Sequence, residues 1–583
     1  PYISNQQKRQ FLRGINLNIV TALVRVRNDI ISTYLATYTA YADRNATGLR
    51  DLKVSSNMRR TKSSSRGALQ LIAALCACSA LSLQWTPAGA ANVLAVQSIA
   101  GKSHWNVMRA LLRALTDRGH TVTAFTPFLD GDRDGYTEVD VSGDLEVRVG
   151  LNVSMFADVQ STPIIVKYVV NATRTGCGAV FEHPRMREIF DGRSRPFDVL
   201  VVQALWLDCV SYAANVLRVP AVYVVPSPIV THSERSFFGH VPNPAAVSNV
   251  LFWRAVPKAF ADRFANTLHM VYGSWSLWRE ERRHRQIQPL ASDAVDLVKP
   301  SVTFTNTHFI TEPSRPLSPD VVQIGGIHLA PPGPLPKFEI PTDILEFIDD
   351  APHGVIYFTL GSVVLMSSLP EDILSVFREC FSQIPQKVLW KYEGDMKDKP
   401  KNVMTRKWFP QRDILLHPNM KLFISHGGIS GVYETVDAGV PVLGFPIFYD
   451  QPRNIDNLVN AGMAISMDLN FVTKDKLLNA ILQIVNDEKY GKNAKIASER
   501  FKDRPMSPAD SVVYWTEYVL RHNGAPHLKS HALNLTWYQY FLVDVIITLL
   551  FIALIILFII YYLLKTIYKH YLKYAHNGKA NCE

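Results

Sequence analysis

Short apolar runs alternate with longer stretches of helical spacing along this chain, and the alternation becomes regular from Asn92 onward. Asn92 to Ile99 is a β-rich apolar run. From His104 to Gly119 apolar residues recur at 107, 108, 111, 112 and 115, the spacing of one helix face, and Thr121 to Phe125 is the next strand. That is a βαβ opening. Further short strands are predicted at Phe197 to Gln203 and Ala221 to Val225, with a helix between them, and a last one at Ser301 to Phe304. The Pro-rich stretch from Glu312 to Pro341 reads as an interdomain linker. A second series follows: a strand at Gly354 to Leu360, a helix from Pro370 to Ile384, then strands at Lys387 to Tyr392 and Leu422 to Ser425. A helix from Gly431 to Ala438 and a strand from Val442 to Phe445 complete it, with a helical segment from Pro508 to Leu520 trailing. This order predicts an α/β chain of two Rossmann-like domains facing across a cleft.

One segment breaks the pattern. Phe541 to Leu564 is a run of 24 residues, apolar but for Asp544, Thr548 and two tyrosines near its end. At helical rise it spans about 36 Å, enough for a bilayer core with some tilt. Trp537, Tyr538 and Tyr540 at one end and Tyr561, Tyr562 and Lys565 at the other resemble interfacial belts. The Lys-bearing tail is expected in the cytosol, which puts the body in the lumen of the endoplasmic reticulum as a single-pass type I membrane protein. Such a topology needs a targeting signal. Arg59-Arg60-Thr61-Lys62 and Arg66, the apolar Ala68 to Leu83 and the A-x-A pattern Ala88-Gly89-Ala90 supply one. Residues 1–57 contain no Met and end just before Met58. They read as upstream translated sequence or a gene-model extension, with a genuine N-terminal extension as the alternative. The expected divisions are an extension at 1–57, a signal peptide at 58–90, an N-terminal Rossmann-like domain at 91–310 and a linker at 311–341. A C-terminal Rossmann-like domain at 342–505, a trailing helix and juxtamembrane segment at 506–540, a membrane helix at 541–564 and a tail at 565–583 follow.

Charge changes little. The net charge of +10 invites a nucleic-acid reading, but residues 1–66 hold twelve Lys/Arg against three Asp/Glu, and the tail adds more, so the body is nearly neutral. A nucleic-acid partner therefore loses its support. Removal of the signal takes Cys76 and Cys78 with it, leaving Cys177, Cys209, Cys380 and Cys582 with no CxxC and no metal-type spacing. Buried free thiols are the expectation, with a Cys177–Cys209 bridge in the oxidising lumen as the alternative. Asn152-Val-Ser, Asn171-Ala-Thr and Asn534-Leu-Thr are glycosylation sequons, usable if the body is lumenal.

The densest chemistry lies between Phe423 and Asn454. His426-Gly427-Gly428 forms a turn without side-chain obstruction, and Ser430 reads as the cap of the helix from Gly431. Backbone N–H groups at that helix start would face an anion, and a pyrophosphate is the natural occupant. Glu434 on the helix is placed for a ribose diol, and Asp450-Gln451 sets an acceptor beside an amide that can grip neighbouring sugar hydroxyls.

This stretch resembles the signature of the UDP-glycosyltransferase family, insect-like members in particular. The resemblance runs from about Val93 to the tail and implies a GT-B-type pair of Rossmann-like domains, the acceptor held by the first and the UDP-sugar by the second. It implies phosphate contacts from His426, Gly427 and Gly428, with Ser430 and Gly431 at the helix start. It also implies a ribose contact from Glu434 and sugar contacts from Asp450 and Gln451. The upstream Trp408-Phe409-Pro410-Gln411 matches the family's uracil-binding WxPQ, with Trp408 stacking and Gln411 hydrogen-bonding, and Phe358 to Ser362 matches its phosphate-side FxxGS, ending in Ser362. Ser430 is a departure, since vertebrate members usually carry Asn there. No metal cofactor is expected, only the UDP-sugar co-substrate and a small lipophilic hydroxyl acceptor, and homo-oligomerisation is left open.

Gly101-Lys102-Ser103-His104-Trp105 follows the first strand, and Ser103 reads as an N-cap that places His104 in the first helical turn. The helix dipole there would disfavour imidazolium and keep the ring basic. The family's SHW-type motif, whose His is the general base, matches Ser103-His104-Trp105. Its usual acidic partner falls at Gln203, an amide that can orient the ring but cannot neutralise the cation, and Asp208 is the nearest substitute. Three functions are thus in play. A membrane-bound inverting hexosyltransferase leads, glucose favoured over glucuronic acid by the insect-like Leu207-Asp208-Cys209. A catalytically impaired nucleotide-sugar-binding protein of the same fold and a nucleotide-sugar epimerase follow. The charge run Arg279 to Arg285 reads as a solvated helix face, and the aromatic-rich Phe237 to Trp278 region as packing or as an acceptor-pocket wall.

Overall fold

The computed structural model describes residues 89–329 and 340–580, apart from 146, 148, 149, 157–161 and 230. The extension at 1–57, nearly all of the signal segment with Met58, Cys76 and Cys78, part of the linker, and Cys582 lie outside the described residues.

β1 (Asn92–Val96), β4 (Val199–Gln203) and β5 (Ala221–Val225) are buried along their whole length. Strands covered on both faces must be continuously apolar, which is why these segments do not alternate. Together with β2 (Thr121–Thr126), β3 (Tyr136–Asp140), β6 (Val302–Thr305) and β7 (Val321–Gln323) they form one parallel sheet in the order β3-β2-β1-β4-β5-β6-β7. The second sheet contains β8 (Val355–Thr359), β9 (Lys387–Lys391), β10 (Val403–Arg406), β11 (Met420–Ser425), β12 (Val442–Gly444) and β13 (Ala464–Ser466), in the order β10-β9-β8-β11-β12-β13. This is the expected pair of Rossmann-like domains. In each sheet the strand order reverses once, between β1 and β4 and between β8 and β11. Ligand sites of open α/β sheets form at that reversal, beyond the carboxyl ends of the strands.

Helix α1 (Lys102–Asp117) packs Trp105, Met108, Leu111, Leu112 and Leu115 onto the first sheet. Helix α2 (Thr162–Glu182) crosses near the end of β1, where a Cβ at Gly176 would stand 1.9 Å from the Ser98 carbonyl oxygen. Only glycine permits that approach. Helix α3 (Phe260–Ile287) lies outside α2. In the second domain, helix α4 (Glu371–Phe381) covers one face of its sheet, helix α5 (Ile429–Ala438) follows β11, and helix α6 (Gln451–Asn460) follows β12. Helix α7 (Pro508–Arg521) returns to the first domain, where Val512 and Val519 join Val93, Leu111 and Leu112 in one buried cluster and Glu517 pairs with Arg118 and Arg521.

Several expectations need correcting. The linker is not free of structure, because Val321–Gln323 pairs with β6 as a seventh strand, and its Pro-rich flanks hide it in the sequence. Cys177 and Cys209 are not free thiols but form a disulfide that ties α2 to the segment after β4, while Cys380 is free and buried. Helix α1 is capped by Gly101, without a side-chain bond, rather than by Ser103. Helix α5 begins at Ile429 with Gly428 at its cap, so Ser430 lies inside the first turn. The apolar C-terminal helix α8 runs from Val543 to Ala580, and Val543–Leu572 is long and apolar enough to cross a membrane.

Candidate active site

The loops after β8 and β11, which flank the strand-order reversal of the second sheet, face one another. Gly361 and Ser362 follow β8, and His426, Gly427 and Gly428 follow β11. The His426 ring sits between two glycines. A Cβ at Gly361, whose φ is +82°, would come within 2.6 Å of the ring, and one at Gly428 would come equally close at 2.6 Å. Burial pulls the imidazole down to about 4, so it is neutral near pH 7. Its Nδ1 and the Ser430 Oγ are buried and have no hydrogen-bond partner among the described residues. Two orphaned polar atoms beside the open N–H groups of α5 mark a place built for a polar, anionic guest.

A cavity of about 340 Å³ leads away from this point. Trp408, 67% exposed, lines it. Gln411 donates to Glu434 there, and burial pushes the Glu434 carboxyl up to about 7. The first domain contributes Lys102, Ser103 and Asn106 from the first turn of α1, which the motifs alone did not indicate.

Asp450 and Gln451 open α6. The residue before them, Tyr449, is held at a left-handed φ of +59°, an uncommon state for a side chain of that size and the kind of strain found at functional turns. The Asp450 carboxylate accepts from Asn454 Nδ2 at 2.8 Å, and burial raises it to about 6. Gln451 Oε1 accepts from the N–H groups of Ile447 and Phe448 at 2.8 and 3.1 Å, which leaves its NH₂ for a ligand.

Both residues line a second cavity of about 510 Å³, together with His104, His426, Leu145 and Tyr168. His104 approaches Gln203, the last residue of β4, at 2.8 Å between imidazole Nδ1 and the side-chain amide. Burial pulls its pKa down to about 4. The structure does not bring Asp208 to this ring: its carboxylate meets Lys299 Nζ at 2.8 Å and Ser236 Oγ at 3.2 Å. The aromatic region from Phe237 to Trp278 does not line the cavity either. Its wall is α2, through Tyr168, Asn171, Ala172 and Thr175, an i, i+3, i+4, i+7 face that was present in the sequence but unmarked by any motif.

The two domains touch at the rim of this cleft. Gly150 N–H donates to Ser362 O at 3.0 Å, and Leu151 N–H donates to Val363 O at 2.6 Å. Val363, His426 and Gly428 line both cavities, so the two form one continuous site.

Residues 92–578 match the family described as "UDP-glucoronosyl and UDP-glucosyl transferase". The chain is 39% identical over 498 residues to UDP-glucosyltransferase 2 of Dactylopius coccus, covering 82% of this chain and 94% of that one. It is 36% identical to UDP-glycosyltransferase UGT5 of the same organism, covering 81% and 91%. Human UDP-glucuronosyltransferase 2B7 is 30% identical, covering 79% and 90%.

Proposed function

The chain belongs to the UDP-glucuronosyl and UDP-glucosyl transferase family and is a UDP-glycosyltransferase, and on that premise we propose that it moves a hexosyl group, glucose in preference to glucuronic acid, from UDP to a hydroxyl of a small lipophilic acceptor, with His104 as general base. The observation that carries this reading is the meeting of His104, His426, Asp450 and Gln451 in one cavity at the two strand-order reversals.

The amide of Gln203 can offer Nδ1 of His104 either a donor or an acceptor. With Oε1 toward the ring, Nδ1–H donates and Nε2 keeps its lone pair. Nε2 then takes the acceptor's proton, the oxygen attacks the anomeric carbon as its bond to the diphosphate breaks, and one displacement inverts the centre. UDP leaves with the electron pair toward the start of α5, where N–H groups and neutral His426 receive the charge. Trp408 would stack on the uracil, Gln411 and Glu434 hold uracil and ribose, and Asp450 and Gln451 grip the sugar. Helix α8 is the membrane anchor in this reading. The Cys177–Cys209 disulfide and the lysines after Leu564 support a body on the lumenal side of the endoplasmic reticulum membrane.

His104→Ala should abolish glycoside formation from UDP-glucose and a phenol while leaving UDP binding by calorimetry intact. Gln203→Asp should keep or raise the rate by supplying a countercharge. The second reading, a binding protein with an impaired base, is favoured by Gln203 itself. Tight UDP binding without turnover in the unaltered protein would establish it, and wild-type turnover in His104→Ala would remove the base assignment.

A further inference from the structure

Helix α3 is 28 residues long, and one face is buried through Asn266, Met270, Gly273, Leu277 and His284. The opposite face carries Phe260, Phe264, Leu268, Val271, Trp275 and Trp278, each between 48% and 74% exposed. No charged side chain occupies an exposed position from Phe260 to Trp278, since Asp262 and Arg263 are half-buried and hydrogen-bonded to backbone. At helical rise this strip is about 27 Å long. A soluble surface seldom leaves so many large apolar side chains contiguous and uncovered.

The strip ends at Arg279, Arg282, Arg283 and Arg285. Arg279 lies over the Trp275 ring at 4.8 Å and Arg282 over the Trp278 ring at 5.5 Å. Arg282 has no acidic partner among the described residues, so its charge is free for an outside anion. The anchor departs from the same domain, since Arg235 donates to the carbonyls of Ala532 and Leu535 at 2.8 and 2.7 Å. Tyr540 accepts from Val241 N–H at 2.8 Å, fixing the residues before α8 to the same domain.

We propose that the exposed face of α3 lies on the lipid surface of the membrane that holds α8, its apolar strip at the headgroup boundary and Arg279 and Arg282 on lipid phosphates. The proposal rests on the anchored reading given above. An uncharged strip bounded by Trp and Arg is what an interfacial helix presents to a bilayer. A second copy of the chain fits poorly. Antiparallel pairing would set the arginines of one helix against the Phe260 end of the other, where Lys258 is exposed and the one acid, Asp262, is half-buried and already accepts from the Ala259 N–H, and parallel pairing would set arginine on arginine.

The test uses the full chain in phosphatidylcholine–phosphatidylserine vesicles, with Cys76→Ser, Cys78→Ser and Cys582→Ser as background. An environment-sensitive fluorophore is placed at Leu268→Cys, at Val271→Cys and, as a control on an exposed helix of the other domain, at Lys492→Cys. UDP binding verifies that each variant is folded. A lipid-borne nitroxide is expected to quench the probes at 268 and 271 severalfold and spare the one at 492, and aqueous iodide to do the reverse. Quenching by iodide at 268 and 271 would overturn the proposal. Protection from both quenchers would overturn it too, in favour of a contact between copies. A carbonate wash separates the two levels. Protein that stays in the vesicles with water-exposed probes refutes the α3 contact alone, whereas protein that washes off refutes the anchor and the contact with it.

Discussion

Gly361 and Gly428 leave no room for a β-carbon on either side of His426, and this sets the donor site's tolerance. Gly361→Ala or Gly428→Ala should displace the ring at a cost of roughly 1–3 kcal/mol, the range for overpacking, with strain from the positive φ added at Gly361. UDP affinity measured by calorimetry should fall about tenfold or more. Loss of UDP affinity without loss of thermal stability would place the damage at the site. The proposed base behaves differently. Because burial holds His104 down to about 4, the acid limb of kcat at saturating donor should lie well below the ordinary imidazole range. An anion beside the ring stabilises imidazolium and raises its pKa, so Gln203→Glu should move that limb upward, whereas Asp450, raised to about 6, should titrate in the donor KM instead. At this scale the sequence was most legible where chemistry fixes spacing, as in His426-Gly427-Gly428 and Asp450-Gln451. It was least legible where a partner comes from elsewhere in the chain. Asp208 lies only five residues from Gln203 in sequence, yet its carboxylate is taken up by Lys299.

Between elements, the disulfide joins α2, which walls the cavity proposed for the acceptor, to the segment after β4, the strand that ends in Gln203. Cys177 and Cys209 are 32 residues apart. Closing a loop of that length contributes roughly 3–4 kcal/mol in the chain-entropy account. Cys177→Ser with Cys209→Ser should therefore lower the urea midpoint clearly and raise the acceptor KM more than the donor KM, read by denaturation and steady-state kinetics. The buried strands of both sheets were legible because doubly covered strands must be apolar throughout. β3, β10 and β13, short and partly exposed, carry no such run and were not, nor was β7, since three residues between prolines carry no periodicity and only pairing to β6 makes them a strand. The starts of α1 and α5 were each placed two residues late, because serine is a common cap and the glycines that hold those positions look like turn residues.

Across the whole molecule, the chain crosses from the first domain to the second through the linker and returns through α7. A chain ending before Ser507 loses Val512 and Val519 from the first domain's core, where both are fully buried, and leaves Arg118 without Glu517. That truncation should fail to give a cooperative melt, whereas one ending before Val543 should keep a cooperative melt that UDP shifts upward, both followed by circular dichroism. Two domains and an apolar C-terminal helix were legible from the order of elements. The return of α7 was not, because an amphipathic helix does not announce which sheet it will cover. Its return also orders events during synthesis. The first domain leaves the ribosome before the second, yet a side of its core stays open until residues 508–521 emerge. Folding from the N-terminal end is therefore incomplete for most of translation, and the nascent chain carries uncovered apolar surface that a chaperone must shield until α7 arrives.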